Sequence, residues 1–179
     1  MWNTRGLRGN AFEEMINMTN QLYRQHKLAL IQKIPTPITP IEVSNKEHII
    51  TKAYFGEKST VDYIGVVQGI AVCFDAKETQ TKNLPLQNVH QHQIDFMEAF
   101  EKQDGVAFLL VLFKITGEIF FIPSKKITQY HKLANSGGRK SIPYKDMDKE
   151  FIVTAKSGFP VHYIETLSRY LEMEKLNKV

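Results

Sequence analysis

The chain has 179 residues, of which 42% are hydrophobic and 23% charged, a length and balance that suit one globular domain with a real core and leave little room for two. Disordered, collagen-like and disulfide-scaffold classes are excluded, and the single cysteine, Cys73, cannot form an internal disulfide. The longest apolar run, Val106 to Phe113, is far short of the roughly 20 residues that cross a bilayer, and Met1 to Gly6 lack a signal-peptide core, so the reducing cytoplasm is the expected compartment.

After a Gly/Arg-containing lead, Phe12, Met15, Ile16, Leu22 and Tyr23 recur at three-and-four spacing and predict an amphipathic helix over 10–26. Leu28 to Ile31 reads as a short strand that runs into Pro35, Pro37 and Pro40, residues barred from helix interior and central sheet. The chain is expected to leave the compact body there, with 41–55 as a projecting extended arm. Two β-rich runs, Val61–Val67 and Ile70–Ala76, flank Gln68-Gly69 and predict an antiparallel hairpin that sets Asp62 and Asp75 on adjacent strands. Helical period returns over 87–103 through Val89, Ile94, Met97 and Phe100, followed by strands 106–113 and 118–122 across a Thr116-Gly117 turn. A helix over 124–134, a Gly137-Gly138 loop, a polar stretch to Glu150, a strand at Phe151–Thr154 and a closing helix over 162–175 complete the chain. No internal repeat or low-complexity segment is present.

Net charge is +4, which alone says little, but its distribution says more. No acidic residue falls between Ile119 and Lys145, a stretch holding Lys125, Lys126, Lys132, Arg139, Lys140 and Lys145, so it suits either a phosphate-binding face or a solvated lysine-rich surface. Asp62 and Asp75 on paired strands, with Lys77 two residues after the second acid, are expected on one face because strand side chains repeat every two residues. Carboxylates so grouped suit a hard cation such as Mg²⁺, which beside a phosphodiester polarises a phosphoryl oxygen and activates water. The pattern is short, and a plain Asp75–Lys77 salt bridge is its bland equivalent.

A longer ordered set decides between them. Arg8-Gly9-Asn10-Ala11-Phe12-Glu13, Pro35-Thr36-Pro37, Ala53-Tyr54-Phe55, Ser59-Thr60-Val61-Asp62-Tyr63, Ala76-Lys77-Glu78-Thr79, Pro85 to Gln93 and Gly138-Arg139-Lys140-Ser141-Ile142 resemble, over nearly the whole chain, the RecU family of bacterial Holliday junction resolvases. That family belongs to the PD-(D/E)xK nucleases. The resemblance implies an α/β fold, a restriction-endonuclease-like mixed β-sheet core flanked by helices, with residues 35–55 as a protruding stalk on a single nuclease domain spanning 1–179. It further implies a Mg²⁺-dependent homodimeric endonuclease, with Mn²⁺ as a substitute, that makes paired nicks across four-way junction DNA. Thr60, Asp62, Asp75 and Gln93 would be the metal-site residues, Lys77 the transition-state stabiliser and Glu13 a helix-borne acid turned toward the same site. Asp75 stands where the family commonly has glutamate.

DNA would lie along Arg5, Arg8, Lys125, Lys126, Arg139 and Lys140, and Tyr54 and Phe55 suit either stacking on unpaired bases at the junction centre or core packing at the root of the arm. The alternatives are another branched substrate for the same nuclease, or a non-catalytic DNA-binding and annealing protein that modulates RecA. A helix over 87–103 would point His90 and His92 roughly 200° apart, against joint metal binding and for helix positioning or phosphate contact. Cys73, inside an apolar strand, reads as a small buried residue.

Overall fold

The structure, a computed structural model, describes residues 11–44, 49–56 and 60–176. Helix α1 (Ala11–Gln25) buries the stripe of Phe12, Ile16, Thr19, Asn20 and Tyr23. It gives way at Lys27, whose φ of 57° turns the chain into strand β1 (Ala29–Lys33). Strands β2 (Ile38–Ser44) and β3 (Ile49–Phe55) pair only with each other, antiparallel, with bulges around Glu42. This ribbon occupies the segment expected to project.

The expected hairpin is β4 (Tyr63–Val67) and β5 (Ile70–Thr79), joined at Gln68 and Gly69. Both turn residues have positive φ, 48° and 89°, the backbone twist that two-residue hairpins require. Strand β6 (Asn83–Pro85) leads through a 3-10 turn at Leu86–Asn88 to α2 (Gln91–Glu101), then β7 (Val106–Phe113), β8 (Glu118–Pro123) and α3 (Ser124–Asn135). Strands β9 (Ser141–Pro143) and β10 (Ile152–Val153) precede the closing helix α4 (Tyr163–Leu176).

Six strands form the central sheet in the order β1-β4-β5-β7-β8-β10, parallel only between β5 and β7, while β6 and β9 make a separate two-stranded pair. The mixed α/β class expected from sequence is therefore found, with helices on both faces. One face buries Tyr63, Phe74, Phe108, Leu110 and Phe121 against α1 and α4. The other buries Cys73, Leu109, Val111, Phe120 and Ile122 against α2 and α3. Alternation along β5 and β7 sorts neighbouring residues to opposite layers. Tyr63, Phe74, Phe108 and Phe121 stack across four strands, with ring centroids 4.7, 4.8 and 4.2 Å apart.

Three expectations change. The helix expected over 87–103 is a 3-10 turn, a break and a shorter helix, because His90 is extended (φ −74°, ψ 150°) and serves as the N-cap of α2. His90 therefore lies outside the helical screw, and its ring stacks on that of His92 with centroids 5.4 Å apart rather than on the far side. The polar stretch before Glu150 contains β9 and a 3-10 turn at Tyr144–Asp146. Cys73 is fully buried, which pushes its thiol up to about 12 and leaves it inert, as its apolar context predicts. No helix among the described residues is long and apolar enough to cross a membrane.

Candidate active site

Asp75 shares the parity of Cys73 on β5, so it faces the α2 side of the sheet. Tyr63 pairs with Phe74, which brings the preceding residue, Asp62, beside Asp75. Two reciprocal bonds lock this arrangement: the Asp62 N–H donates to Asp75 Oδ1 at 2.9 Å, and the Ala76 N–H donates to Asp62 Oδ2 at 3.0 Å. Lys77, two residues along the strand, forms an ion pair with Asp75 Oδ2. From the layer above, Gln93 Nε2 donates to the same oxygen at 2.7 Å. Burial of Ile94 and Met97, worth about 1.5–3 kcal/mol each, seats α2 and so delivers Gln93.

Asp75 has no solvent exposure, and a buried charge of this kind persists only when it is paired and hydrogen-bonded. Its neighbour is less well served. Burial first, and then the hydrogen bond and repulsion from Asp75, push the Asp62 carboxyl up to about 7. Two carboxyls thus share a pocket that holds one ammonium group, and the deficit is one positive charge. This fits a hard divalent cation of the Mg²⁺ kind, which is bound through one or two carboxylates and keeps several waters. The fit needs no third acid, and among the described residues no three of His, Cys, Asp and Glu come together in a metal-binding arrangement.

The remaining site residues lie apart from this cluster. Thr60 is half-buried in the bend that leads into β4. Glu13 sits on α1, which packs on the opposite face of the sheet, and it pairs with Lys33. Its backbone carbonyl still lies 3.5 Å from the hydroxyl of Tyr63, the residue next to Asp62.

The basic candidates divide between the two ends of α3. At its start, Lys125 pairs with Glu174 of α4, and Lys126 donates to the backbone carbonyl of Asp146. Beyond its end, Arg139 donates to Asn83 at 2.9 Å, and the Lys140 carbonyl accepts from the Leu86 N–H, so both project beside β6. Arg5 and Arg8 lie outside the described residues. Tyr54 and Phe55, at the C-terminal end of β3, are exposed, Phe55 by 80%, and stand across from Thr39 and Ile38. Asn83, which holds Arg139, had no role in the sequence reading, and His90, read there as a helix-positioning or phosphate-contact residue, donates its N–H to Gln93 Oε1 at 3.0 Å. The second was detectable, since a residue three positions before a glutamine at a helix start is the spacing of a capping box.

Comparison with known proteins places this arrangement. The family model Recombination protein U (RecU) matches residues 7–169. This chain belongs to the RecU family. Its relatives include the Holliday junction resolvase RecU of Bacillus cytotoxicus, 39% identical over 82% of this chain and 75% of the relative. The protein of the same name from Oenococcus oeni is 39% identical over 92% and 86%, and that from Oceanobacillus iheyensis 35% over 94% and 86%. The RecU match spans every element of the central sheet and every residue of the Asp62–Asp75–Lys77–Gln93 cluster.

Proposed function

We propose that this chain is a divalent-metal-dependent endonuclease that resolves four-way DNA junctions during recombination and repair; the relatives named Holliday junction resolvase RecU support the junction-resolving part of this reading. The observation that carries the reading is the pairing of half-buried Asp62 with fully buried Asp75, short of one positive charge and flanked by Lys77. Asp62 and Asp75 are the proposed metal-holding carboxylates, with Thr60 at the entry to β4 and Gln93 behind Asp75 completing the site. Mg²⁺ is the proposed ion and Mn²⁺ its substitute. The chemistry such an ion supplies when bound is polarisation of a phosphoryl oxygen and a lowered pKa for bound water.

The chain's own groups do the rest. Asp62 and Asp75 would hold the cation, and the backbone N–H groups of Asp62 and Ala76 keep both carboxylates aimed. Lys77 places its ammonium group beside the scissile phosphate and balances the charge that grows on it as water adds. Water forms the new P–O bond and the 3′-oxygen leaves, which yields 5′-phosphate and 3′-hydroxyl ends. Glu13 is the proposed further acid, reached by way of Tyr63 from the opposite layer.

Residues 1–179 are proposed as one nuclease domain on a restriction-endonuclease-like core, with the β2–β3 ribbon as the stalk and Tyr54 and Phe55 as its base-stacking residues. Arg139 and Lys140 are the proposed principal phosphate contacts, joined by Arg5 and Arg8, while Lys125 and Lys126 contribute after release from Glu174 and the Asp146 carbonyl. Symmetric nicking requires two such sites related by a two-fold axis, hence a homodimer. The test is incubation of the purified chain with labelled mobile four-way junctions and matched linear duplex, in Mg²⁺ or EDTA, with nicks mapped on all four strands. Paired, symmetric, Mg²⁺-requiring nicks are expected. Binding without cutting would move the protein to a DNA-binding role in modulating RecA.

A further inference from the structure

The β6–β9 pair carries a hollow of about 400 Å³, lined by Lys82, Asn83, Arg139, Pro143, Tyr144 and Lys145. Its lining holds three cations and no acid. Arg139 is fixed across both strands: Nη2 donates to Asn83 Oδ1 of β6 at 2.9 Å, and Nε donates to Ser141 Oγ of β9 at 3.3 Å. A guanidinium has five N–H donors, so three stay unspent in a fork that is already oriented. Tyr144 is a rigid wall, with its ring edge-on to Phe113 and Phe120 and its hydroxyl bonded to Glu118.

The strand ladder places the two lysines. The Tyr144 N–H donates to the Lys82 carbonyl at 2.9 Å, which extends the pairing of Asn83 with Pro143 by one residue and sets Lys82 across from the neighbour of Lys145. Both lysines are exposed, and neither forms an ion pair among the described residues. Asp146, next to Lys145, is engaged by the Tyr130 hydroxyl at 2.7 Å. An oriented fork between two unpaired ammonium groups suits a phosphate, which takes arginine in a bidentate manner and lysine as a point charge. The hollow is also tied to the strand that bears Lys77. Thr79, the last residue of β5, and Thr81 both donate to the Asn83 carbonyl, at 2.8 and 3.0 Å, and so hold the turn that delivers Lys82. Lys82 is five residues after Lys77. Even a fully extended chain of that length spans about 17 Å, or about five base steps of duplex.

We infer that Lys82, Arg139 and Lys145 form a cradle for one backbone phosphate of DNA, within about five nucleotide steps of the scissile phosphate, and that Lys82 and Lys145 fix where along the strand the cut falls. The inference rests on the nuclease reading above for its ligand. In that role the two lysines are positioning residues, and Lys77 remains the group at the reacting phosphate.

The test measures binding of four-way junctions in EDTA, with a single neutral methylphosphonate linkage walked along each strand outward from the crossover. For the unmodified chain, one linkage per strand pair should lower affinity about tenfold, the loss of one charge-assisted contact. The double variant Lys82→Ala, Lys145→Ala should bind the unsubstituted junction at least as weakly, with the slope of log binding against log salt lower by about two. At that linkage the variant should lose less than about threefold more, because the contact is already gone. Lys82→Arg with Lys145→Arg should restore the slope. In Mg²⁺ the alanine variant should spread its nicks over neighbouring linkages. Losses that multiply at every linkage, or an unchanged salt slope, would overturn the cradle. Junction binding without cutting would end the nuclease reading alone, since the coupling between lysines and linkage is read without metal.

Discussion

The carboxylate site and the β2–β3 ribbon are built on opposite terms. Around Asp62 and Asp75 the polar groups are tied together by hydrogen bonds within the chain, and the strands that carry them lie between two packed layers. In the ribbon, Ile38, Ile41, Val43, Ile49, Ile50, Tyr54 and Phe55 are all exposed, and the strands pair only with each other. A patch of this kind is not stabilised by the fold that carries it, so its apolar surface points to something met outside the chain. The site is thus specified by the fold, whereas the ribbon is carried on it, and the two respond differently to mutation.

The largest expected effect is that of Asp75→Asn. Losing the carboxylate that Lys77, Gln93 and Asp62 all address should lower Mg²⁺-dependent nicking by about 10³-fold or more, while junction affinity, measured by gel shift, holds or improves. Asp62→Asn should separate function from stability. A carboxyl whose pKa is raised on folding favours the folded state below its unfolded value, near 4, and that contribution is lost as pH rises through about 7. In EDTA at pH 8, Asp62→Asn should therefore unfold later than the parent, by a stability difference on the order of a few kcal/mol, and the gap should close toward pH 4. Equal thermal midpoints at both pH values would remove the electrostatic account of the site.

The ribbon should behave in the opposite way. Its base is closed by the Gly56 N–H donating to the Pro37 carbonyl at 2.9 Å, so residues 38–55 can be replaced by a short turn. Thermal stability should change by no more than about 0.5 kcal/mol, yet the ratio of junction to duplex affinity should fall about tenfold, the loss of one or two stacked bases. The smallest effect should come from the charges beside α3. Arg139→Ala should reduce the slope of log binding against log salt by about one, and Lys125→Ala, whose ammonium group is held by Glu174, by less.

Much of this was legible in the sequence because local pattern and burial agree. The eight-residue run Val106–Phe113 is the central strand β7, and Gln68-Gly69 closes the hairpin that pairs Asp62 with Asp75. What escaped depended on distant partners or on very short elements. Strands β6 and β9 have three residues each, both end in proline, and show no period long enough to detect. The break at His90 was hidden because apolar Leu86 and Val89 continue a helical spacing into a turn that is not helical. The division of the basic stretch was unreadable for another reason, since Glu174 and Asp146 lie 49 and 20 residues from the lysines they hold.

The strip of rings through Tyr63, Phe74, Phe108 and Phe121 gives the sheet an optical identity of its own. Near-ultraviolet circular dichroism senses aromatic groups only while they are held in fixed, asymmetric packing, and here stacked, nearly parallel rings run from the residue after Asp62 to the third strand away. The molecule thus carries an unlabelled reporter one residue from its proposed metal, through which ion binding and melting of the sheet can be followed in one cuvette.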